Sequence, residues 1–144
     1  MPTALDTTAL AARLRLGVTR LARRLRQEAE AGLTPSTLAA LASIERLGPL
    51  TMRELCAVER VQPPTMTRIV AALAEAGLAS RVADDADRRV AWVSLTSEGK
   101  RLLERSRRRK EAYLAKALRS LDEREVATLD DAAAILERLT EGQP

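Results

Sequence analysis

The chain has 144 residues, a net charge of +4 and an apolar fraction of 46%, values typical of one soluble domain. Histidine is absent and Cys56 is the only cysteine, so an intrachain disulfide is excluded and the commonest metal ligand and general base is missing. There is no glycine-rich phosphate loop and no serine or cysteine beside a base, so we expect no catalytic residue, no metal and no cofactor. The sequence also lacks a basic leader and any run of about 18 apolar residues, which predicts a cytoplasmic protein without membrane contact.

Positive charge is concentrated in the central part of the chain. Residues 52–110 hold 13 Lys and Arg against 8 Asp and Glu, whereas residues 111–144 hold 4 against 8. A basic surface of this kind is typical of a protein that binds a polyanion. The alternative is a set of solvated helix faces in an arginine-rich chain, and the net charge leaves both interpretations open.

Two helices are predicted at the N-terminal end. Residues 7–31 carry leucines at helical spacing on one stripe, and Gly32 ends this pattern. Thr34 followed by Pro35 is typical of an N-cap with proline in the first turn, so a second helix is expected from there to Gly48. Alanine and leucine dominate both segments, and the core they build is thin because alanine buries little area.

The centre of the chain predicts two short helices and a two-stranded ribbon. Thr51 and Glu54 form a capping box that fixes a third helix at about residues 52–59. A fourth helix begins at Pro63 or Pro64, where a missing N–H costs nothing, and stops at Gly77. Strands are then expected over 78–83 and 90–95, joined by the polar connection Asp84-Asp85-Ala86-Asp87-Arg88-Arg89.

Two further helices are predicted to complete the chain. Thr96 caps a fifth helix that extends to about Ser120, and Asp122 with Glu125 forms a capping box at the start of a sixth. The fold class is therefore mainly α with a small β-ribbon (α+β). The apolar stripes of the first and last helices exceed what the centre needs, which predicts burial between two chains. The residues expected at this contact are Leu10, Leu14, Leu21, Leu129, Leu136 and Leu139.

The third and fourth helices fit a helix-turn-helix, in which the first helix braces the second and the second enters the major groove of DNA. Arg68 is the single long donor on the outer face of the fourth helix and suits a guanine edge, whereas a threonine methyl suits thymine. The alternative is an ordinary helical hairpin with a polar outer side. The candidate DNA contacts of this unit are Arg53, Gln62, Pro64, Thr65, Thr67 and Arg68.

The tip of the ribbon adds three candidate DNA contacts, Asp87, Arg88 and Arg89. The two arginines project beyond the domain, where they suit a minor groove or phosphates, and Asp87 is expected to orient one of them. The alternative is a solvated turn with local ion pairs. Trp92, in mid-strand, is predicted to be a packing anchor. The basic run at 107–110 is interpreted as a solvated helix face, with contacts to flanking DNA as the alternative.

Six segments in a fixed order carry a family resemblance: Leu33-Thr34, Glu54-Leu55, Pro64-Thr65-Met66-Thr67-Arg68, Gly77-Leu78-Ala79-Ser80-Arg81, Asp84-Asp85-Ala86-Asp87-Arg88-Arg89 and Leu95-Thr96-Ser97-Glu98-Gly99. Together they resemble the winged helix-turn-helix regulators of the multiple-antibiotic-resistance regulator (MarR) family. The resemblance covers nearly the whole chain, and it rests on the ordered set because no single segment is specific.

The resemblance implies a homodimer whose terminal helices interlock and whose two winged-helix lobes bind a pseudo-palindromic operator in double-stranded DNA. Within a single domain spanning 1–144, it places the DNA-binding lobe at 34–99, the recognition helix at 63–76 and the dimerisation helices at 5–31 and 100–140. The wing arginine of the family corresponds to Arg88 or Arg89. Members are usually repressors, and many are released by small phenolic or other lipophilic ligands, whose binding residues the sequence does not identify.

The chain departs from two subgroups of that family. Peroxide-sensing members carry a cysteine in the first helix and zinc-sensing members use histidines, and this sequence has neither. Cys56 lies instead in the third helix, where it is interpreted as a buried small hydrophobic residue, with a reactive thiol as the alternative. A winged helix that contacts another protein, without specific DNA binding, is the alternative function.

Overall fold

A small antiparallel sheet is surrounded by helices in the computed structural model, which describes residues 4–29 and 31–142. In chain order the elements are α1 (Thr7–Ala29), α2 (Pro35–Leu47), β1 (Leu50–Thr51), α3 (Met52–Glu59), α4 (Pro63–Glu75), β2 (Ala79–Ala83), β3 (Ala91–Leu95), α5 (Ser97–Leu118) and α6 (Glu123–Glu141). The expected fold class, mainly α with a winged helix-turn-helix at its centre, is confirmed.

Local capping bonds set the starts of the helices where the sequence predicts them. Thr51 Oγ1 accepts a hydrogen bond from Glu54 N at 3.2 Å, and Glu54 Oε2 accepts one from Thr51 N at 3.1 Å, so α3 begins at Met52. Thr96 Oγ1 accepts from Gly99 N at 3.0 Å at the start of α5. These bonds satisfy backbone donors that the first turn of a helix leaves without partners.

The sheet has the strand order β1-β3-β2 and connects the wing to the helix-turn-helix. β2 and β3 form the expected ribbon, with Val82 opposite Trp92. The structure adds β1, which the sequence did not indicate because two residues are too few for an alternating pattern. Thr51 of β1 lies opposite Trp92, so the N-cap of α3 is also the strand residue beside the wing.

The hydrophobic core lies between α2, α3, α4 and the sheet. The inner face of α4 contributes its four buried residues, Met66, Ile69, Val70 and Leu73. Leu103 of α5 belongs to the same cluster, so α5 is anchored to the winged unit. The largest fully buried side chains are Leu41, Ile44, Leu55, Met66, Leu73, Val70 and Val93.

Two backbone positions determine the turn from α3 to α4 and the close approach of α5 to the chain after α4. Arg60 ends α3 in the left-handed conformation, with φ 53° and ψ 47°, so the turn towards α4 is made without glycine. Gly99 lies where the start of α5 crosses the chain that follows α4. A Cβ at Gly99 would lie 2.1 Å from the carbonyl oxygen of Leu78, so only glycine fits this crossing.

The terminal helices expose an apolar surface on the described part of the chain. α1 packs along α5, yet Ala29 is the only buried residue among those described in α1, and α6 buries none of its described residues. The six leucines expected at a contact between chains are 37% to 60% exposed. No helix among residues 4–29 and 31–142 combines the length and apolar character that crossing a membrane requires.

Candidate nucleic-acid interface

The outer face of α4 is exposed because its inner face is committed to the core. Met66 is fully buried, which turns Pro64, Thr67 and Arg68 towards solvent. Thr67 Oγ1 donates to the carbonyl oxygen of Pro63 at 2.9 Å, so its hydroxyl is bound to the helix and its methyl group remains as an apolar contact. Arg68 Nη2 lies 3.5 Å from Thr65 Oγ1, a long contact that leaves the guanidinium available to another acceptor.

The start of α4 offers few backbone donors. Gln62 is its N-cap, without a side-chain capping bond, and prolines occupy the first two helical positions. Because proline has no N–H, Thr65 is the first residue of the helix that has one. Met66 N already donates to the carbonyl of Gln62 at 3.0 Å. Binding of a phosphate at this helix start is therefore limited to a single amide.

The wing tip is a tight loop closed by its own backbone. Asp84 N donates to the Val90 carbonyl at 2.8 Å, and Val90 N donates to the Asp87 carbonyl at 3.0 Å. The Asp84 carboxylate accepts from the amides of Ala86 at 3.1 Å and Asp87 at 2.9 Å. The side chains at the tip are thus presented by an ordered turn.

Trp92 contributes a contact that the sequence did not indicate. Its Nε1 donates to Asp84 Oδ1 at 3.0 Å, across the ribbon. This bond, followed by the amides of Asp87 and Ala86, lowers the pKa of Asp84 below its ordinary value, against a smaller opposing effect of burial. Trp92 is half-buried and is not among the side chains packed against the core, so the packing anchor expected from the sequence is instead a residue that binds the loop.

Asp87 orients Arg89, as the sequence led us to expect of an acid beside two arginines. Asp87 Oδ1 accepts from Arg89 Nε at 3.0 Å and from Arg89 N at 3.1 Å, and Oδ2 accepts from Nη2 at 3.2 Å. The Arg89 side chain lowers the pKa of Asp87, and the charge of Asp84 opposes this shift. The side chain of Arg89 is nevertheless 91% exposed. Arg88 is exposed too, and no ion pair of Arg88 is present within the described part of the chain.

A cleft of about 460 Å³ separates the helix-turn-helix from the wing. Of the predicted contact residues, it brings together Arg53 of α3, Thr67 of α4 and Arg89 of the wing. The other predicted contacts do not line it. Gln62, Pro64, Thr65 and Arg68 belong to the first turns of α4, and Asp87 and Arg88 belong to the wing tip.

Arg81 was missed as a site residue by sequence reasoning. It lies on β2, opposite Val93, and lines the cleft with Arg53 and Arg89. Arg81 ended one of the segments that carry the family resemblance, but a single cation inside a short strand is typical of any exposed strand position and did not mark it as a contact. Three arginines from three elements therefore share one concave surface, which is attractive to a polyanion.

Cys56 lies at the apolar side of this cleft. It is half-buried and packs against the core, and its carbonyl accepts from Val61 N at 3.1 Å in the turn after α3. The expectation of a buried small hydrophobic residue is met only in part, because Cys56 is half-buried and also lines the cleft with Pro63 and Thr67.

Two arginines of the basic run at 107–110, Arg107 and Arg109, make contacts inside the chain. Arg107 forms an ion pair with Glu45 of α2, and this hydrogen bond raises the pKa of Arg107. Arg109 Nη1 donates to the carbonyl of Ala29 at 2.9 Å, at the end of α1. These contacts join α5 to α2 and α1, so the run is not simply the solvated face that the sequence suggested.

A helix with an exposed outer face, a preceding helix that braces it and an arginine-tipped ribbon define a winged helix-turn-helix protein. The model of the MarR family matches residues 31–90. An HTH-type transcriptional regulator of Mycobacterium tuberculosis is 36% identical over 142 residues, covering 97% of this chain and 99% of the relative. The chain belongs to the MarR family of transcriptional regulators.

Solved structures agree with this assignment. The crystal structure of a transcriptional regulator protein from Pseudomonas aeruginosa is 39% identical, with a TM-score of 0.84, over 97% of this chain and 100% of that one. A MarR family protein from Bacillus stearothermophilus shares the fold, with 24% identity and a TM-score of 0.78, over 98% of this chain and 99% of that one. The expected family is thereby confirmed, and the resemblance extends over nearly the whole chain.

Proposed function

We propose that this regulator is a homodimer that binds a pseudo-palindromic operator in double-stranded DNA and represses transcription. In this proposal, α4 enters the major groove and the wing contacts the adjacent minor groove or its phosphates. The carrying observation is that Thr67, on the outer face of α4, and the Asp87-bound Arg89 line one cationic cleft. A groove-binding helix beside a projecting cation matches the geometry of duplex DNA.

The candidate contacts divide into those that read bases and those that bind the backbone. Arg68 is exposed and free enough to donate two hydrogen bonds to a guanine, and the methyl group of Thr67 suits thymine. Arg53 and Arg89 face the cleft from either side and suit phosphates or a narrow minor groove. Gln62, Pro64, Thr65, Asp87 and Arg88 complete the proposed interface.

Dimerisation is supported by the apolar surface of the terminal helices. Leu10, Leu14 and Leu21 on α1 are 42% to 46% exposed, and Leu129, Leu136 and Leu139 on α6 are 37% to 60% exposed. Soluble monomers seldom leave contiguous apolar surface of this kind in water, and a two-fold axis would bury it against its own copy. The same axis would set two winged lobes about one helical turn of DNA apart, about 10 base pairs centre to centre.

Repression that is relieved by a small lipophilic or phenolic ligand is the proposed mode of regulation. It is supported by membership of the family, and no pocket is assigned to the ligand. A reporter gene under the upstream promoter would be more active when this chain is deleted. Salicylate, as a phenolic probe, would release the DNA in a titration.

A mobility-shift titration against the DNA upstream of the chain's own gene, at two salt concentrations, tests the central proposal. We expect a shift that weakens steeply with salt and that survives an excess of unrelated duplex. Binding that the unrelated duplex abolishes would contradict sequence-specific recognition. Absence of any shift at low salt would instead favour a winged helix that contacts protein, the function consistent with one long donor on the face of α4.

A further inference from the structure

The wing contains a second acidic residue whose contacts differ from those of Asp87. Asp84 makes no bond to an arginine within the described part of the chain, and its carboxylate accepts three N–H groups: two loop amides and the indole of Trp92. The amides at 3.1 Å and 2.9 Å share Oδ2, and the indole at 3.0 Å takes Oδ1. Both oxygens are therefore engaged in shaping the loop.

Through its indole, Trp92 connects the ordered wing loop to the rest of the domain. Trp92 lies on the central strand β3, opposite Val82 of the wing and opposite Thr51, which caps α3. A loop bound to Trp92 is thus held in a fixed place relative to the helix-turn-helix. Without that bond, the tip would be attached to the sheet only through its two strand ends.

From these contacts we infer that Asp84 and Trp92 are positioning residues for DNA binding: the Asp84 carboxylate, held by the Trp92 indole, fixes the loop that presents Arg88 and Arg89. This inference rests on the proposed function and deepens it, because neither residue needs to touch DNA. A loop that is ordered before binding avoids the entropy cost of ordering it on the DNA.

The sign of the expected effect separates positioning from simple electrostatics. Asp84 is negatively charged and lies near the surface proposed to face DNA, so its removal should strengthen binding if charge alone matters. If Asp84 positions the arginines, Asp84→Ala weakens binding although it removes a negative charge. Asp85 is its exposed neighbour and is not bonded to another described side chain, so Asp85→Ala is a matched control with the same charge change.

The experiment compares full-length wild type, Asp84→Ala, Asp85→Ala and Trp92→Phe. Trp92→Phe keeps an aromatic ring on β3 and removes the N–H donor together with part of the ring volume. Each protein is titrated with the duplex that wild type selects from a random-sequence pool. We expect Asp84→Ala and Trp92→Phe to bind about three- to tenfold more weakly, as the loss of one or two partly exposed charge-assisted hydrogen bonds implies. We expect Asp85→Ala to bind as tightly as wild type or more tightly.

A second measurement needs no DNA. Heteronuclear Overhauser effects of the Ala86 and Asp87 amides should fall in Asp84→Ala and Trp92→Phe and stay at wild-type values in Asp85→Ala, while thermal unfolding shows that each variant is folded. If the amides are as rigid in Asp84→Ala as in wild type, or if Asp84→Ala binds DNA like Asp85→Ala, the inference is wrong. If wild type binds no duplex but the amides respond as expected, the proposed function fails and the positioning of the loop stands.

Discussion

Replacement of Arg89 by alanine tests the proposed role of the wing most directly. The Arg89 side chain is 91% exposed and is held by Asp87 through Nε and Nη2, which leaves Nη1 directed to other acceptors. An arginine restrained in this way loses little further side-chain freedom when it meets a phosphate. We therefore expect Arg89→Ala to remove one proposed cationic contact from each protomer of the proposed dimer.

The size of the effect follows from counting these contacts. Each lost phosphate contact reduces the slope of log K against log salt by about 0.9, so a dimer that loses two should show a slope lower by about 1.8. An exposed charge-assisted contact contributes about 1 kcal/mol, so two of them correspond to an affinity loss of about thirtyfold at low salt. The loss should be similar for operator and unrelated duplex, because backbone contacts carry no sequence information.

Fluorescence anisotropy at several salt concentrations measures both quantities. Arg124→Ala is the control, because it removes the same charge from an exposed position on α6. We expect this control to keep the wild-type slope. A slope that is equal in wild type and Arg89→Ala would refute the wing assignment, even if the affinity falls.

Four further outcomes follow from the same contacts. Arg68→Ala should cost about 1–3 kcal/mol on the selected duplex and relax the preference at one base position, so an unchanged preference in a base-substitution series would remove Arg68 as a reader. Gly99→Ala should destabilise the fold by about 1–3 kcal/mol or more in thermal unfolding, because its Cβ would meet the Leu78 carbonyl at 2.1 Å, and an unchanged unfolding midpoint would contradict this close approach. The hydrogen bonds to Asp84 lower its pKa from the ordinary 3.8, so its carboxylate holds the wing loop above pH 3.8 and releases it only as the pH falls further. The fluorescence emission of Trp92 should therefore be constant from neutral pH to about pH 5. Maleimide should alkylate half-buried Cys56 more slowly in the native protein than in urea, and equal rates would contradict its placement.

Features that depend on neighbouring residues were predictable from the sequence. The capping boxes at Thr51 and Asp122 and the prolines at the start of α4 act within one turn of helix, so their positions predict the helix starts. The inner face of α4 follows from helical spacing in the same way. The recognition of the family drew on the order of such local signals.

Features that depend on strand register were not predictable. The bond from Trp92 to Asp84 spans eight residues of sequence and exists only because β2 and β3 pair with Val82 opposite Trp92. Arg81 lines the cleft for the same reason.

The left-handed conformation of Arg60 was also not predictable, because glycine or asparagine usually occupies such positions. The dimer contacts and DNA contacts stay predictions, since they need a second molecule.

Because β3 pairs with a strand on each side, it sets the position of the wing relative to the helix-turn-helix. One edge of β3 binds β2 and hence the wing, and the other binds β1, whose Thr51 is the N-cap of α3. Because α3 braces α4, a displacement of β3 would move the wing arginines and the support of α4 together. Gly99 and the Arg107–Glu45 ion pair attach α5 to this same unit. The separation between α4 and the wing is therefore fixed within one lobe. In the proposed dimer, only the contact between the two chains would be left to set the distance between lobes.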